Sequence, residues 1–369
     1  MKQDLLFTLK SQLNNLKKGN QPVCAYIENK EIDYQLLEEI LSLSKYHNHW
    51  ANFGPVSELL ESTIGNLIKI NQDKSVILCK SATQALHTLI NMYEIKAERP
   101  LRWVISSFGF ISTAIGTLSN AHIIDCDTKG ILNIEQLKLL DIKTWDAVLI
   151  TNTFGLCNDI KKFIKYCYDN NKILLIDNAM ALLTETRKNK QAPCEVISFH
   201  QTKPWGIGEG GCAIVNSEDI DLFRSLLNFG IGHTGKNNQH YINGKLSDFD
   251  SALILQRLAH IQYWKNLYKL QEKRVHHIAI KCGLSPLSSC PENIIMGNLP
   301  FLLDHEISID NLKNPWIVMH KYYKPLSKNT PNANNIYNRI INIPCHPQIS
   351  KVSEKKIESA IQYIKDNSY

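Results

Sequence analysis

The stretch 196-VISFHQTKPWGIGEGGCAIV-215 joins two apolar, β-branched runs through a loop holding Lys203 and four glycines, Gly206, Gly208, Gly210 and Gly211. The flanks, 195–199 and 212–216, read as buried strands. A lysine set between two buried strands asks for a chemical reason, since a charged amine is costly to remove from water. The G-x-G pattern in 206–211 is a weak match to a dinucleotide fingerprint, because it lies late in the sheet and a strand rather than a helix follows the last glycine. The glycines are expected to let the backbone turn tightly beside a bulky ligand.

Strands and helices alternate upstream of this stretch. Residues 55–70 have helical apolar spacing. Short apolar runs at 75–79, 103–107, 122–127, 146–151 and 172–177 read as strands. Helical patterns lie between them at 82–95, 110–120 and 158–170. Continuous apolar strands alternating with helices predict an α/β fold with a mostly parallel sheet covered on both faces. The pattern changes after residue 250. One long helical run ends at Gly283, short strands follow near 293–303 and 315–320, and a last helix spans 353–366. This divides the chain into a large domain, 1–250, and a smaller α+β domain, 251–369.

The 369 residues are 44% hydrophobic and 21% charged, an ordinary globular composition. The net charge of +6 is spread over many lysines, with no block that would mark a nucleic-acid partner. No apolar run is long enough to span a membrane, and the first residues lack the apolar core of a signal peptide. Ten cysteines without a C-x-x-C pair, several standing singly in apolar runs (Cys79, Cys126, Cys157, Cys212), point to free thiols in a reducing, cytoplasmic setting. No metal site is expected: His47 and His49 have no further ligand at a convincing spacing.

In open α/β sheets, ligands bind beyond the carboxyl ends of the strands. The residues just past those ends are Ser81-Ala82-Thr83, Phe108-Gly109-Phe110, Asn152-Thr153, Asp177-Asn178-Ala179 and His200 to Lys203. Ser81-Ala82-Thr83 at a helix start suits a phosphate, or is a plain helix cap. Asp177 ending an apolar strand needs a cation or several donors, or else caps the next turn. Lys203 at a partly dry rim can lose its proton and attack a carbonyl, or is a loop lysine in water. Together these groups match the needs of pyridoxal phosphate: a lysine for a Schiff base, an acid for the pyridinium nitrogen, a phosphate cradle and an aromatic ring, Phe110 or Phe108.

The chain resembles the DegT/DnrJ/StrS family of nucleotide-sugar aminotransferases. The matching pieces stand in order: NFGPVSELLE (52–61), SATQALH (81–87), SSFGFISTA (106–114), NTFG (152–155), IDNA (176–179), SFHQTK with GEGG (198–211), NFG (228–230), NGKLSD (243–248) and IPCHP (343–347). The resemblance implies an aspartate-aminotransferase-like fold (fold type I) and pyridoxal 5'-phosphate as cofactor. It makes Lys203 the Schiff-base lysine and proton shuttle, and Asp177 the partner of the ring nitrogen. Thr83, the Ala82 amide and Ser198 would hold the phosphate, with Phe110 and Ala179 on opposite faces of the ring. Asn228 and the segment Asn243-Gly244-Lys245 would reach a neighbouring subunit's site, which implies a homodimer with shared sites. The implied partners are L-glutamate as amino donor and a nucleotide-diphosphate keto sugar, in polysaccharide or lipopolysaccharide O-antigen synthesis. Lys245, Lys321 and Lys324 are candidates to meet the diphosphate, or are simple surface charge. One departure is Met180, where many relatives carry Gln or His toward the cofactor's ring oxygen. Methionine cannot donate a hydrogen bond, so another donor such as Asn178 or a water is needed, or the activity is altered. A sugar dehydratase of the same family is disfavoured, since such relatives replace the lysine with His. A non-catalytic regulatory or binding homologue is the other alternative.

Overall fold

The computed structural model describes residues 9–10, 12–13, 24–156, 160–183, 192–232 and 240–366. Cys157 and Asn158, and most of the N-terminal stretch read above, lie outside the described residues. The large sheet is built from β1 (Lys74–Cys79), β2 (Trp103–Ser106), β3 (His122–Ile124), β4 (Ala147–Thr151), β5 (Ile173–Asp177), β6 (Cys194–Ser198) and β7 (Gly211–Asn216). Its seven strands lie in the order β1-β7-β6-β5-β4-β2-β3. β2 pairs in parallel with β3 and β4, β4 with β5, and β5 with β6. β7 runs antiparallel to both its neighbours, β1 and β6. All strands but β7 therefore point the same way, and their carboxyl ends share one rim. β7 begins at that rim, with Gly211 opposite both Cys79 and Ser198.

Strand alternation sends side chains to two faces, and both are buried. On one face Ile77, Ile105, Leu149, Leu175 and Val196 pack under α3 (Ala82–Ala97) and α6 (Ile220–Leu227). On the other, Val104, Val148, Ile150, Leu174 and Ile176 meet α4 (Ile134–Leu139) and α5 (Lys161–Asp169). This is the two-faced α/β layering that the continuous apolar strands predict. α1 (Tyr34–His47) and α2 (Pro55–Leu67) pack on α7 (Asp248–Ala259). Buried Asp248 accepts from the Val56 and Ser57 amides in the first turn of α2 and from the Ser44 hydroxyl of α1.

Three expectations change. The segment 110–120 is two 3-10 helices, Ile111–Ala114 and Gly116–Asn120, and not one helix. Ile115 is extended between them and Gly116 takes a φ of +57°, which together stop propagation. The long helical run breaks at His260 into α7 and α8 (Ile261–Lys281), and the first part of α8, with Tyr268, still packs in the same cluster as α7. Ile254, Leu255 and Leu258 of α7 join the large-sheet cluster with Ile197 and Phe199, whereas Val275, Ile278 and Ala279 of α8 join the C-terminal core. Finally, 315–320 is not a strand and makes one isolated bridge, His320 with Asn342. The second sheet is antiparallel, in the order β10-β9-β8, from β8 (Ser285–Pro286), β9 (Asn298–Leu302) and β10 (Ile340–Pro344). α9 (Pro331–Arg339) and α10 (Glu354–Asp366) complete this region.

Buried Asp125, past the end of β3, ties the two regions together. Its carboxylate accepts from the Asn332 amide at 2.8 Å and the Ala333 amide at 3.1 Å in the first turn of α9, and from the Ser107 hydroxyl at 3.2 Å. Removing it leaves buried donors without a partner. Asp125→Ala should lower stability by roughly 2–4 kcal/mol, the cost of losing a helix cap and orphaning buried donors. Urea unfolding would measure it, and a loss below about 0.5 kcal/mol, the level of an ordinary surface change, would contradict this role.

Candidate active site

The rim carries a cavity of about 540 Å³. The expected post-strand residues converge on it: Ser81, Ala82 and Thr83 after β1, Phe110 after β2, Asn152 and Thr153 after β4, Asp177 and Ala179 at β5, Ser198 at the end of β6, and His200, Thr202 and Lys203 after it. The Ser81 hydroxyl accepts from the Gln84 amide at 3.1 Å as the cap of α3. Ala82 and Thr83, whose first-turn amides have no acceptor within the helix, line the cavity. Phe110 is 52% exposed and lines the cavity, while Phe108 is buried against Phe154 and Tyr323. Of the two rings read from sequence, Phe110 is therefore the one presented to a ligand.

Lys203 sits on a tight turn. Its amide donates to the His200 carbonyl at 2.8 Å, and its carbonyl accepts from the Gly206 amide at 3.1 Å. Burial pushes its amine below the usual lysine range, and the charge of Asp177 opposes that shift. Asp177 shows the mirror image. Burial raises its pKa, while the Ala179 amide, donating at 3.1 Å, and the Lys203 charge pull it down. A lysine depressed this way holds more neutral amine at neutral pH, the form that attacks a carbonyl. A buried carboxylate held above its usual range would bind a cationic ring N–H strongly.

Two of the glycines act differently from the expectation. None of the four lines the cavity, although Glu209 between them does. A Cβ on Gly206 would stand 2.1 Å from the Phe199 carbonyl oxygen, and one on Gly211 2.2 Å from the Ala82 amide nitrogen. Their bareness lets the lysine turn fold onto β6 and lets β7 start against the amino end of α3. At Gly206 and Gly211 the space is filled by protein backbone, whereas Gly208 and Gly210 take φ values of +73° and +156° that turn the loop, as expected.

Several predicted residues lie elsewhere. Asn228 and Asn243 form a bridge pair away from the cavity. Lys245 donates to the Asn228 side chain at 2.6 Å and lies over the Phe229 ring. Lys321 is neither at the mouth nor on the surface. It is buried, donates to the carbonyls of Ile307 and Asn338, and packs over Tyr337. Lys324 is exposed and does not line the cavity. Met180 does line it, as the resemblance implies. Asn178, offered as a substitute donor, instead gives its amide to Glu195 at 2.5 Å and accepts from Asn152 at 2.7 Å.

Sequence reasoning missed two walls of the cavity. One is Ala25, Tyr26 and Ile27; the other is Asn298, Val318, His320, Tyr322 and Tyr323 from the C-terminal region. Tyr26 packs edge-on to His320 at 4.5 Å, and Tyr323 stacks on Phe154 at 5.1 Å. Ala25 to Ile27 have no strand or helix periodicity, and Asn298, Val318 and His320 fall in or beside the short runs 293–303 and 315–320, whose spacing says nothing of the cavity; the aromatic clustering of HKYYKP (320–325) is the one local signal.

The model of the DegT/DnrJ/EryC1/StrS aminotransferase family matches residues 31–278. This chain belongs to that family. A UDP-4-amino-4,6-dideoxy-N-acetyl-beta-L-altrosamine transaminase of Helicobacter pylori is 26% identical, over 78% of this chain and 85% of that protein. A dTDP-4-amino-4,6-dideoxy-D-glucose transaminase of Shigella dysenteriae is 23% identical, over 86% of this chain and 93% of its own length. Among solved structures, DesI in the presence of its TDP-sugar product superposes with a TM-score of 0.79 at 19% identity, covering 95% of this chain and 94% of that one. The fold is that of the pyridoxal-phosphate-dependent aminotransferases, as the resemblance implies.

The donor set fits pyridoxal phosphate: a depressed lysine for its aldehyde, a buried carboxyl for its ring nitrogen, helix amides with Thr83 and Ser198 for its phosphate, and Phe110 for its face. Asp177 holds the Lys203 pKa up, so Asp177→Asn should let it fall further. The pH midpoint for modification of Lys203 by an amine reagent, read by peptide mass spectrometry, should then move down relative to the unaltered protein. An upward or absent shift would show that the two groups do not interact.

Proposed function

We propose that this chain is a pyridoxal-phosphate-dependent aminotransferase that moves an amino group from glutamate to the keto carbon of a nucleotide-diphosphate sugar. The observation that carries the reading is the meeting of Lys203 and Asp177, their charges opposed across a half-closed cavity, beside the amino end of α3. Family membership and the transaminase relatives support the substrate class. The bound cofactor supplies the electron sink that lets a proton leave the donor's α-carbon. In this reading the neutral Lys203 amine would be the group that takes up that proton and holds it at Nζ. Asp177 stays ionised against the ring nitrogen and holds its proton there. The Ala82 and Thr83 amides with Ser198 anchor the phosphate, and the Phe110 and Ala179 side chains confine the ring.

Asn228, Asn243 and Lys245 form their own cluster outside the cavity. They fit a role in the site of a second copy, which makes the working unit a homodimer. The exposed apolar side chains Phe229 and Ile231 beside them are what such a copy would cover. A second reading, a binding homologue without turnover, draws on the Met180 thioether on the cavity wall. Against it, Tyr322 and Tyr323, which carry hydroxyl groups, line the same cavity.

The visible absorption of the purified protein tests the proposal. It should show a yellow band that bleaches with glutamate, while Lys203→Ala should bind the cofactor without that band. Glutamate-dependent amination of a keto-sugar nucleotide separates the proposed activity from dehydration. A protein that cannot be loaded with pyridoxal phosphate would leave the binding reading in its place.

A further inference from the structure

A buried set of charges lies against the turn that carries Lys203. Glu28 and Lys30 come from the segment before α1, Arg257 from α7 and Tyr268 from α8. Their charged side chains are almost sealed: 4% of Glu28 and Lys30 and 0% of Arg257 is exposed. Arg257 donates to Glu28 at 2.8 Å and, through Nε and Nη2, to the Pro204 carbonyl at 3.3 Å each. Its guanidinium lies 3.8 Å over the Trp264 ring. The Tyr268 hydroxyl donates to the same Glu28 oxygen at 2.6 Å. Lys30 stands 3.9 Å from Glu28 and donates to the Gln201 carbonyl.

Gln201 and Pro204 flank Lys203. With the bonds inside the turn, the carbonyls of His200, Gln201, Lys203 and Pro204 all have donors. Buried ion networks cost desolvation, and apolar packing would hold a segment in place at less cost. What these charges supply is a pair of donors aimed at two carbonyls that no strand partner reaches. The segment 24–33 does not depend on Lys30 for its place. Gln348 grips the Asn29 amide and carbonyl at 2.9 Å each, Gln256 takes the Asp33 amide at 3.2 Å, and Val318 donates to the Cys24 carbonyl at 3.2 Å.

We propose that Lys30 and Arg257, balanced by Glu28, are positioning residues that pin the Lys203 turn from both sides and so set where its amine stands in the cavity. The proposal rests on Lys203 being the cofactor lysine. Glu28 and Lys30 lie before the residues matched by the family model, so this half of the clamp is not part of that match. A loosened turn lets the amine reach water and regain its proton, which makes it less reactive at neutral pH.

The test has two readouts on Lys30→Met, Lys30→Arg and Arg257→Lys. The first is the rate at which Lys203 reacts with a small aldehyde trapped by cyanoborohydride, followed by peptide mass spectrometry in cofactor-free protein against the other lysines. The second is pyridoxal phosphate uptake, followed by absorbance. Lys30→Met should slow both by about tenfold, the size of one charge-assisted hydrogen bond, in a protein that melts at a lower temperature but is still folded under the assay conditions. Lys30→Arg should restore most of the loss, and Arg257→Lys, which keeps the charge but not the fork, should fall between. Labelling of Lys203 at or above the unaltered rate in a folded Lys30→Met protein overturns the proposal. If that variant does not fold, an unaltered rate in Arg257→Lys overturns it instead. An unaltered chain that takes up no cofactor, while Lys30→Met still slows labelling, would sink the cofactor reading and leave the clamp standing.

Discussion

The structure depends on keeping an amine and a carboxylate partly out of water at the open ends of a parallel sheet. Burial disfavours the charged form of each, and the attraction between Lys203 and Asp177 offsets part of that cost. Such a pair survives only on a rigid support. Here the support is a sheet whose two faces are covered, so that β5 and the turn after β6 cannot shift to hydrate the charges. The Ala179 amide, donating to Asp177, supplies a further part of that support.

Close backbone packing builds the remaining geometry. β7 alone runs against its neighbours, so its first residue meets the rim where the other strands end. Gly211 there touches the amino end of α3, and Gly206 folds the lysine turn onto β6. These contacts set the distance between the lysine turn and the helix amides without any side chain between them. On the outer side, a segment from near the start of the chain and an arginine from α7 complete the hydrogen bonding of that turn. Residues far apart in sequence thus meet around one backbone loop.

Much of this was legible before any coordinates. β-branched apolar runs of four to six residues have one favourable environment, a buried strand, and so the sheet and its two covered faces followed from pattern. The rule that ligands sit past strand ends then picked out Thr83, Phe110, Asp177 and Lys203. The pattern was weaker where one periodicity served two cores. The run across His260 is helical throughout, and nothing in its spacing marks the point where its apolar face changes partner. Lys321 was misplaced for a related reason: a lysine in an irregular stretch looks like surface until the carbonyls of Ile307 and Asn338 are seen to enclose it.

The sequence by itself determined the fold class, the family and the set of groups on the rim, because short-range periodicity and ordered motifs carry that information. Only the tertiary structure decided which of two phenylalanines faces the cavity, that Gly206 and Gly211 accommodate backbone, and that Ala25 to Ile27, His320, Tyr322 and Tyr323 form its walls. Those outcomes depend on contacts between residues hundreds of positions apart. Such contacts are set by how the packed layers close on one another, a property of the whole chain that no local stretch encodes.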